Sequence, residues 1–515
     1  MTWDINAPYK AESKKIVWHV APYLRGRGLD IGAGDFRVLP HAITVDNMHH
    51  AAFGFTQKPD ILSDADNLGM FADQSMDFVY SSHTLEHMED YKGTLKEWWR
   101  LVKVGGYLVL YLPHKDFYPN IGQPGANPDH KHDFLPADIL SAMPAGYDVV
   151  ELEERNQDDE YSFLLVLRRV QGNKRGSSYL APKPAKRACV VRYGAFGDLL
   201  QSASTWAGLK KQGYHVTVFS SMPGASVVEN DPNIDNLVLF DKDQVPNANL
   251  VDFWRYQSKL YDKWVNLSES VEGTLLAMPG RANHVWAPLV RHKRLNENYV
   301  AFQHELAGVP HDPQIKFYPT ELERQWAAKT RKSMGKGPVV MWSLAGSAVH
   351  KTWAGLDAML ASLMLHYPES HVVLVGGPEC VILESGWENE DRIHKTSGKW
   401  TIRQTLSFLE QVDLVIGPET GVLNAAACME VPKIVFLSHS THENLTRDWR
   451  NVFPLSSVGT VCPGRGNDEA PACHQLHYGF DFCKRDGNSG TAQCQADIPE
   501  GLVWETIERA LYHGN

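Results

Sequence analysis

The sequence contains no run that approaches the roughly 18 consecutive apolar residues of a membrane-spanning helix. Apolar residues make up 43% of the chain and charged residues 22%, as in ordinary globular proteins. The opening segment MTWDINAPYKAESKK also lacks the basic stretch followed by an apolar stretch that defines a secretory signal. These absences predict a cytoplasmic protein without a membrane span.

Basic residues are the minority among the charged ones. The chain has 50 Lys and Arg against 61 Asp and Glu, which gives a net charge of −11. Residues 1–170 hold 16 basic and 25 acidic residues, so they carry most of this excess. Because such a surface repels phosphate backbones, we expect no stable binding to nucleic acid, although a local basic cleft is compatible with the total.

The chain is too long, at 515 residues, for a single hydrophobic core. Residues 171–187, QGNKRGSSYLAPKPAKR, have the composition of an exposed linker. On both sides of it, short apolar runs alternate with helix-like segments, which is typical of parallel sheets covered by helices. We predict an α/β protein with one domain at 1–170, a pair of doubly wound halves at 188–320 and 321–460, and a tail at 461–515.

A glycine-rich turn follows the first apolar run of the N-terminal region. The segment GLDIGAGDFRVLP places Asp30 at the end of a strand, followed by small residues that let the backbone approach a ligand. Asp46 ends the next apolar run, where a carboxylate can accept the two hydroxyls of a ribose. The remaining candidates for this cofactor site are Gly32, Ala33, Gly34, Asp64, Ala65, Ser81 and His83.

This series, with MDFVYSSHTLEHMED and LVKVGGYLVLYLP, resembles the class I S-adenosylmethionine-dependent methyltransferases over roughly residues 25–170. The resemblance implies a Rossmann-like fold that binds S-adenosyl-L-methionine. It implies that Gly32 and Gly34 pass the methionine part, that Asp46 holds the ribose, and that Asp64 with Ala65 borders adenine. An alternative is a methyltransferase fold that has lost activity and serves as a docking domain.

The sequence does not identify which residues of this region would act on the methyl acceptor. A histidine could take a proton from an acceptor hydroxyl, or it could be an ordinary surface or hydrogen-bonded residue. The spacing in DHKHD is not diagnostic of a metal site. The candidate histidines are His83, His87, His114, His130 and His132.

A second strand–turn–helix pattern opens after the linker, in RACVVRYGAFGDLLQSAS. Gly194 and Gly197 permit a tight turn, which places Asp198 at the carboxyl end of the strand. A carboxylate there can act as a general base, or it can cap the helix that follows. The motif alone leaves both interpretations open.

Two downstream segments carry candidates for binding a nucleotide-diphosphate sugar. In DLVIGPETGVLNAAAC, Glu419 and Thr420 end a strand, and Gly421 opens a helix whose backbone N–H groups can hold a diphosphate. In SLAGSAVHKTW, a loop of small residues precedes Lys351, which can contact phosphate. The small residues of that loop are Ser343, Gly346 and Ser347.

Together these segments resemble glycosyltransferase family nine, the lipopolysaccharide heptosyltransferases of GT-B architecture, over roughly residues 187–513. The resemblance implies a metal-independent, inverting displacement in which Asp198 is the base and Lys351 contacts donor phosphate. Glu replaces the family's usual Asp, and Asn its usual His, so the implied ADP-heptose donor is left open. The residues that match the family's DTGLxH element are Glu419, Thr420, Gly421 and Asn424.

The two resemblances predict a bifunctional transferase that glycosylates and methylates a glycan or a small glycosylated acceptor. One alternative is a glycosyltransferase with an inactive methyltransferase-like docking domain, and another is a binding or assembly protein whose folds survive without turnover. A third is glycosylation of modified nucleic-acid bases, and the acidic N-terminal region argues mildly against it.

The chain has only seven cysteines, and four of them fall in the tail. Tetrahedral zinc can use four such ligands, but the Cys-x-x-Cys pairs of typical zinc sites are absent. Reduced structural cysteines, or disulfides in an oxidising environment, are the other interpretations, so zinc is not assigned. These tail residues are Cys462, Cys473, Cys483 and Cys494.

Overall fold

The computed structural model describes residues 3–6, 11–49, 57–172, 186–241, 244–267, 297–346, 351–438, 440–457 and 483–513. The chain divides into two compact units. The first contains the described residues of Met1–Ala185 and of Leu239–Leu260, and the second contains those of Lys186–Val238 and those from Tyr261 onward. Within these described ranges, no helix is both long and apolar enough to cross a bilayer.

The α-helices are numbered in chain order. They are Ser13–Val20 (α1), Tyr91–Leu101 (α2), Pro136–Ala142 (α3), Phe196–Lys211 (α4), Met222–Ala225 (α5), Leu250–Ser258 (α6), Tyr299–Ala307 (α7), Glu321–Ser333 (α8), Leu356–His366 (α9), Ile402–Phe408 (α10), Gly421–Ala426 (α11), Gln493–Ala496 (α12) and Glu500–His513 (α13).

The strands are numbered in the same way. They are Gly28–Ile31 (β1), Ile43–Asp46 (β2), Ile61–Leu62 (β3), Met76–Ser82 (β4), Val102–Pro113 (β5), Tyr147–Arg155 (β6), Ser162–Arg169 (β7), Arg187–Val191 (β8), His215–Ser220 (β9), Asn236–Leu239 (β10), Lys263–Asn266 (β11), Val339–Ser343 (β12), His371–Val375 (β13), Ile393–Lys395 (β14), Leu414–Pro418 (β15), Lys433–Phe436 (β16) and Val452–Leu455 (β17).

The first unit is built on one seven-stranded sheet in the order β3-β2-β1-β4-β5-β7-β6. Strands β1 to β5 are parallel, and β7 runs antiparallel to β5 and β6. Apolar side chains of β1, β4, β5 and β7 form the core with α2. Because the strand order reverses between β1 and β4, the carboxyl ends of these strands form the crevice where such folds bind ligands.

The first unit also includes α6, which lies far along the chain. Gln257 Nε2 donates a hydrogen bond of 2.6 Å to the carbonyl of Trp18, and His19 Nδ1 lies 3.1 Å from the hydroxyl of Tyr256. His19 is itself buried and its Nε2 lies 2.8 Å from Glu151. These contacts fix α6 beside α1. The domain boundaries expected from the sequence treat each domain as one continuous segment, and they stay a prediction.

The second unit contains two parallel sheets. The four-stranded sheet has the order β10-β9-β8-β11, and the six-stranded sheet has the order β14-β13-β12-β15-β16-β17. One buried apolar cluster includes residues of both sheets, and a second lies between the six-stranded sheet, α9 and α13. The strand order reverses at β8 in the first sheet and at β12 in the second, which makes this unit a pair of doubly wound halves. The α/β architecture predicted from the sequence is confirmed.

Candidate active sites

The glycine-rich turn of the first unit follows β1 directly. Gly32 and Gly34 have φ values of 73° and 53°, in the left-handed region that favours glycine. The Gly32 N–H donates a 2.8 Å hydrogen bond to the carbonyl of Val45, and a Cβ added at Gly32 would lie 1.9 Å from Thr84 Oγ1. Ala33 is buried between the two glycines. The turn therefore presents backbone, not side chains, at the carboxyl end of β1.

Asp46 faces this turn from the end of β2. Its Oδ2 accepts a 3.0 Å hydrogen bond from the Gly34 N–H, and its Oδ1 accepts one of 2.6 Å from the Met48 N–H. Asp64 lies after β3 and accepts a 2.8 Å hydrogen bond from Asn47 Nδ2. The structure thus brings Asp46 and Asp64 to one edge of the sheet, beside the turn.

Two other predicted residues make hydrogen bonds inside the first unit. Ser81 is buried and its hydroxyl donates a 2.9 Å hydrogen bond to the carbonyl of Ile31. The Ala65 carbonyl accepts a hydrogen bond of 2.8 Å from Trp98 Nε1. Both contacts join neighbouring elements of the unit, so they hold the crevice in shape.

Asp30 lies in β1, just before the glycine-rich turn, in the interior of the unit. Its side chain is buried, and its Oδ2 accepts a 2.7 Å hydrogen bond from the Val38 N–H. Burial raises the pKa of Asp30 to about 7, an effect that the Val38 hydrogen bond only partly offsets. Asp30 therefore positions the segment after the turn, and it stays largely protonated below neutral pH.

This burial makes stability depend on pH. Because the pKa of Asp30 is raised from 3.8 in the unfolded chain to about 7, the unfolded chain loses the proton first and stability falls as pH rises between these values. Asp30→Asn keeps an acceptor for Val38 and removes the titration, so we expect the slope over pH 4–7 to become less negative, by up to about 1.4 kcal/mol per pH unit. Denaturant unfolding measured at several pH values tests this. A slope equal to that of wild type and of the exposed control Asp66→Asn would contradict it.

A cluster of ionisable groups follows β4. His83 has a positive φ of 50°, and its Nε2 shares a hydrogen bond of 2.8 Å with Ser162 Oγ. Burial lowers the pKa of His83 to about 3 and raises that of Glu86 to about 8. Glu86 lies in the 3₁₀ turn Leu85–His87 and is fully buried. Sequence reasoning named the histidines here but missed Glu86, whose only signal was its place next to His87.

In the second unit, Asp198 lies in the first turn of α4, which begins two residues earlier at Phe196. Its Oδ2 accepts a 2.8 Å hydrogen bond from the Ala195 N–H, and its Oδ1 accepts one of 3.0 Å from Arg192 Nη2. Arg192 is buried and also donates to the carbonyl of Leu267 at 2.6 Å. The Asp198 side chain keeps 43% of its surface exposed. The Asp198 side chain therefore takes part in capping α4 and remains accessible to a substrate.

The glycines of this motif allow close approach. Gly194 has a φ of 131°, and a Cβ there would lie 2.5 Å from Asp198 Oδ2. A Cβ on Gly197 would lie 2.7 Å from Asn424 Nδ2, and one on Gly421 would lie 3.0 Å from Phe196 Cβ. The first turns of α4 and α11 are therefore in contact.

Side-chain contacts join the same two turns. Gln201 Nε2 donates a 3.1 Å hydrogen bond to the side-chain oxygen of Asn424, which is buried. The structure thus brings together the segments around Asp198 and Thr420, which are more than 200 residues apart in the sequence.

Thr420 and Ser343 lie on either side of the point where the strand order reverses in the six-stranded sheet. The Ser343 hydroxyl, at the end of β12, lies 3.1 Å from the Thr420 hydroxyl, after β15. Glu419 is buried, and its Oε1 accepts hydrogen bonds of 2.6 and 3.2 Å from the N–H groups of Ser438 and Ser440. Glu419 therefore ties the end of β15 to the loop after β16.

Lys351 lies beside Gly346. The Gly346 N–H donates a 3.0 Å hydrogen bond to the carbonyl of Lys351, and a Cβ on Gly346 would lie 2.5 Å from Lys351 Cδ. Trp353 is buried, and its Nε1 donates a 3.2 Å hydrogen bond to the carbonyl of Ile498. This anchors the chain just after Lys351. Ser347, also predicted for this loop, lies outside the described residues.

The tail cysteines are only partly covered by the structure. Cys462 and Cys473 lie outside the described residues, whereas Cys483 and Cys494 are partly buried. The zinc interpretation therefore stays a hypothesis.

Comparison with known families identifies part of the chain. Residues 29–110 match the model of a methyltransferase domain, so the chain is a transferase that contains such a domain. No curated protein matches the sequence.

Solved structures resemble each part of the chain. A glycosyl transferase family 9 protein from Veillonella parvula is 15% identical, with 65% of this chain and 99% of that chain covered and a TM-score of 0.49. The ADP-heptose lps heptosyltransferase II of E. coli is 13% identical, with 64% and 99% covered and a TM-score of 0.46. An S-adenosylmethionine dependent methyltransferase from Mesorhizobium loti is 19% identical, with 32% and 100% covered and a TM-score of 0.25. Likenesses at this level concern the fold and carry no information on substrates.

Proposed function

We propose that the second unit transfers a sugar from a nucleoside-diphosphate donor to a hydroxyl of a glycan or small glycosylated acceptor, with inversion. The observation that carries this proposal is the contact between the first turns of α4 and α11, which puts an exposed carboxylate and a candidate diphosphate site in one region. A base and a leaving-group site must flank the reacting carbon if the reaction is a single displacement.

Asp198 is the proposed base. Each carboxylate oxygen accepts one hydrogen bond from the protein, so each retains a lone pair for an acceptor hydroxyl. Arg192 and the Ala195 N–H fix the direction of the carboxylate. As the acceptor oxygen bonds to the anomeric carbon and the bond from that carbon to the diphosphate breaks, the hydroxyl proton passes to Asp198.

The leaving diphosphate is proposed to lie between β12 and β15. Ser343 and Thr420 offer two hydroxyls 3.1 Å apart at the strand ends, and Lys351 supplies the positive charge. Glu419 accepts hydrogen bonds from Ser438 and Ser440, so we assign it first to shaping this loop and only through the loop to holding donor hydroxyls.

Replacing Lys351 by Met is expected to weaken donor binding about 10- to 100-fold, because a hydrogen bond to a charged group contributes about 1.5–3 kcal/mol. Titration of purified protein with nucleotide sugars gives the dissociation constants. Lys336→Met, an exposed lysine of the same unit, is the matched control. Equal donor affinity in the Lys351 variant and the control would remove Lys351 from the site.

We further propose that the first unit binds S-adenosyl-L-methionine and methylates the same class of acceptor. The chain fits this cofactor, because the Gly32–Gly34 turn presents backbone and Asp46 presents a carboxylate at the carboxyl ends of β1 and β2. The bound cofactor would supply an electrophilic methyl group. Each Asp46 carboxylate oxygen accepts one hydrogen bond from the protein, so each would retain a lone pair for a ribose hydroxyl.

A further inference from the structure

An unusual buried carboxylate lies beside the crevice of the first unit. Glu86 has no exposed surface, and among the residues that the structure describes neither of its carboxylate oxygens has a hydrogen-bond partner. Leaving an acid group unpaired in the interior costs several kcal/mol whether it is charged or neutral, since a protonated carboxyl also needs an acceptor. An unpaired group in such a position points to a ligand that the protein binds.

Three imidazole nitrogens surround this carboxylate. Glu86 Oε1 lies 3.9 Å from each of His83 Nδ1, His87 Nε2 and His130 Nε2. These distances are too long for hydrogen bonds. Ligand atoms of Glu86, His87 and His130 all lie within 4.8 Å of one another, so shifts of a few tenths of an ångström would bring each within the roughly 2.0–2.2 Å at which a transition metal is bound.

A hydrogen bond to a backbone carbonyl sets the tautomer of His87. His87 Nδ1 lies 3.2 Å from the carbonyl oxygen of Asp129, and because a carbonyl only accepts, Nδ1 must carry the proton. The Nε2 atom of a neutral His87 is then the one with the lone pair, and it is this atom that faces Glu86. Metal-binding histidines are typically oriented in this way by a backbone carbonyl.

We propose that Glu86, His87 and His130 bind one divalent transition-metal ion, with His83 beside the cluster as a neighbour of a bound acceptor. Two imidazoles and one carboxylate form a set suited to Zn²⁺, Fe²⁺ or Co²⁺, and three protein ligands leave positions open for another molecule. The partly exposed edges of His83 and His87, with 15% and 20% of their side-chain surface accessible, give the ion a path to the site.

The position of the cluster suggests what the ion does. Glu86 and His87 follow β4, and His130 lies in the segment between β5 and α3, so the ion would lie at the same sheet edge as the Gly32 turn. A metal there would hold an acceptor oxygen and favour the loss of its proton. This role rests on the proposed methyl transfer, whereas metal binding itself does not.

The test is titration of chelator-treated full-length protein with Co²⁺, followed by visible absorption and by metal analysis. We expect one Co²⁺ per chain in a nitrogen- and oxygen-ligated spectrum. Glu86→Gln and His130→Gln should weaken binding at least about 10-fold. His132→Gln is the matched control, because the Nε2 of His132 lies 3.0 Å from the carbonyl of Met88 and, within the described part of the chain, belongs to no candidate ligand set.

The tail cysteines are a competing site, so the titration is repeated with all four replaced by serine. Retention of the Co²⁺ spectrum supports the proposal. The proposal is overturned if wild type takes up no Co²⁺, if the cysteine replacements abolish uptake, or if Glu86→Gln and His130→Gln bind like wild type. Wild type and the cysteine variant suffice to reject the site even where a ligand variant folds poorly. If the wild-type protein binds the metal but transfers no methyl group, the proposed methyl transfer is rejected and the metal site is retained.

Discussion

Asp198→Asn is expected to lower kcat for sugar transfer by about 10²- to 10⁴-fold, the contribution of a general base. Asparagine keeps the shape of the side chain and an oxygen that can accept from the Ala195 N–H, but it cannot take a proton from an acceptor hydroxyl. The weakened contact with buried Arg192 should cost about 1–2 kcal/mol of stability, which leaves the protein folded. The measurement is the rate of nucleoside-diphosphate release in the presence of acceptor.

The matched control is Asp138→Asn in the first unit. Asp138 makes the same contact in α3 that Asp198 makes in α4, because its Oδ2 accepts a 2.8 Å hydrogen bond from the Leu135 N–H three residues earlier. It should leave sugar transfer unchanged. If the Asp198→Asn variant turned over the donor as fast as this control does, Asp198 would have only a structural role in capping α4.

The double variant Gly197→Ala/Gly421→Ala is expected to lower sugar transfer by about 100-fold, because misplacement of reacting groups by about 1 Å can have that effect. The added methyl groups would lie 2.7 Å from Asn424 Nδ2 and 3.0 Å from Phe196 Cβ, so the first turns of α4 and α11 must separate. Overpacking of this kind costs about 1–3 kcal/mol. Steady-state kinetics and thermal unfolding measure the two effects separately.

Gly501→Ala is the control for this variant. Gly501 lies in α13, and a Cβ there would meet no atom within 4 Å. Alanine should raise stability slightly and leave activity unchanged, since glycine in a helix is unfavourable by about 1 kcal/mol. Unchanged activity in the double variant would show that the contact between α4 and α11 does not position the reacting groups.

Motifs at strand ends could be predicted from the sequence because their chemistry is local. A backbone with positive φ favours glycine, as at Gly32 and Gly34, and Asp46 ends an apolar run that is typical of the next strand. The same reasoning placed Asp198 and Thr420 at strand ends. Each parallel sheet collects such ends at one edge, which is why Asp46 and Asp64 lie at the same edge of the first sheet, whereas Asp198 and Thr420 follow strands of two different sheets.

Other features depend on contacts between residues that are far apart in the sequence, which no local sequence pattern predicts. The Ser81 hydroxyl bonds the Ile31 carbonyl because β4 pairs with β1 in a register that the sequence does not specify. Glu86 contacts a distant segment of the chain, which places His130 Nε2 3.9 Å from its Oε1 and donates the Lys131 N–H to its carbonyl. Helix α6 belongs to the first unit although its sequence neighbours β10 and β11 belong to the sheet of the second.

Donor binding measured by thermal shift tests the central claim most directly, because a ligand that binds only the folded state stabilises it by about 2.7 kcal/mol at 100 times its dissociation constant. We expect at least one nucleotide-diphosphate sugar to raise the unfolding midpoint of wild type and Asp198→Asn equally, and that of Lys351→Met by much less. A panel of such donors that leaves the wild-type midpoint unchanged would contradict the assignment of the second unit as a glycosyltransferase.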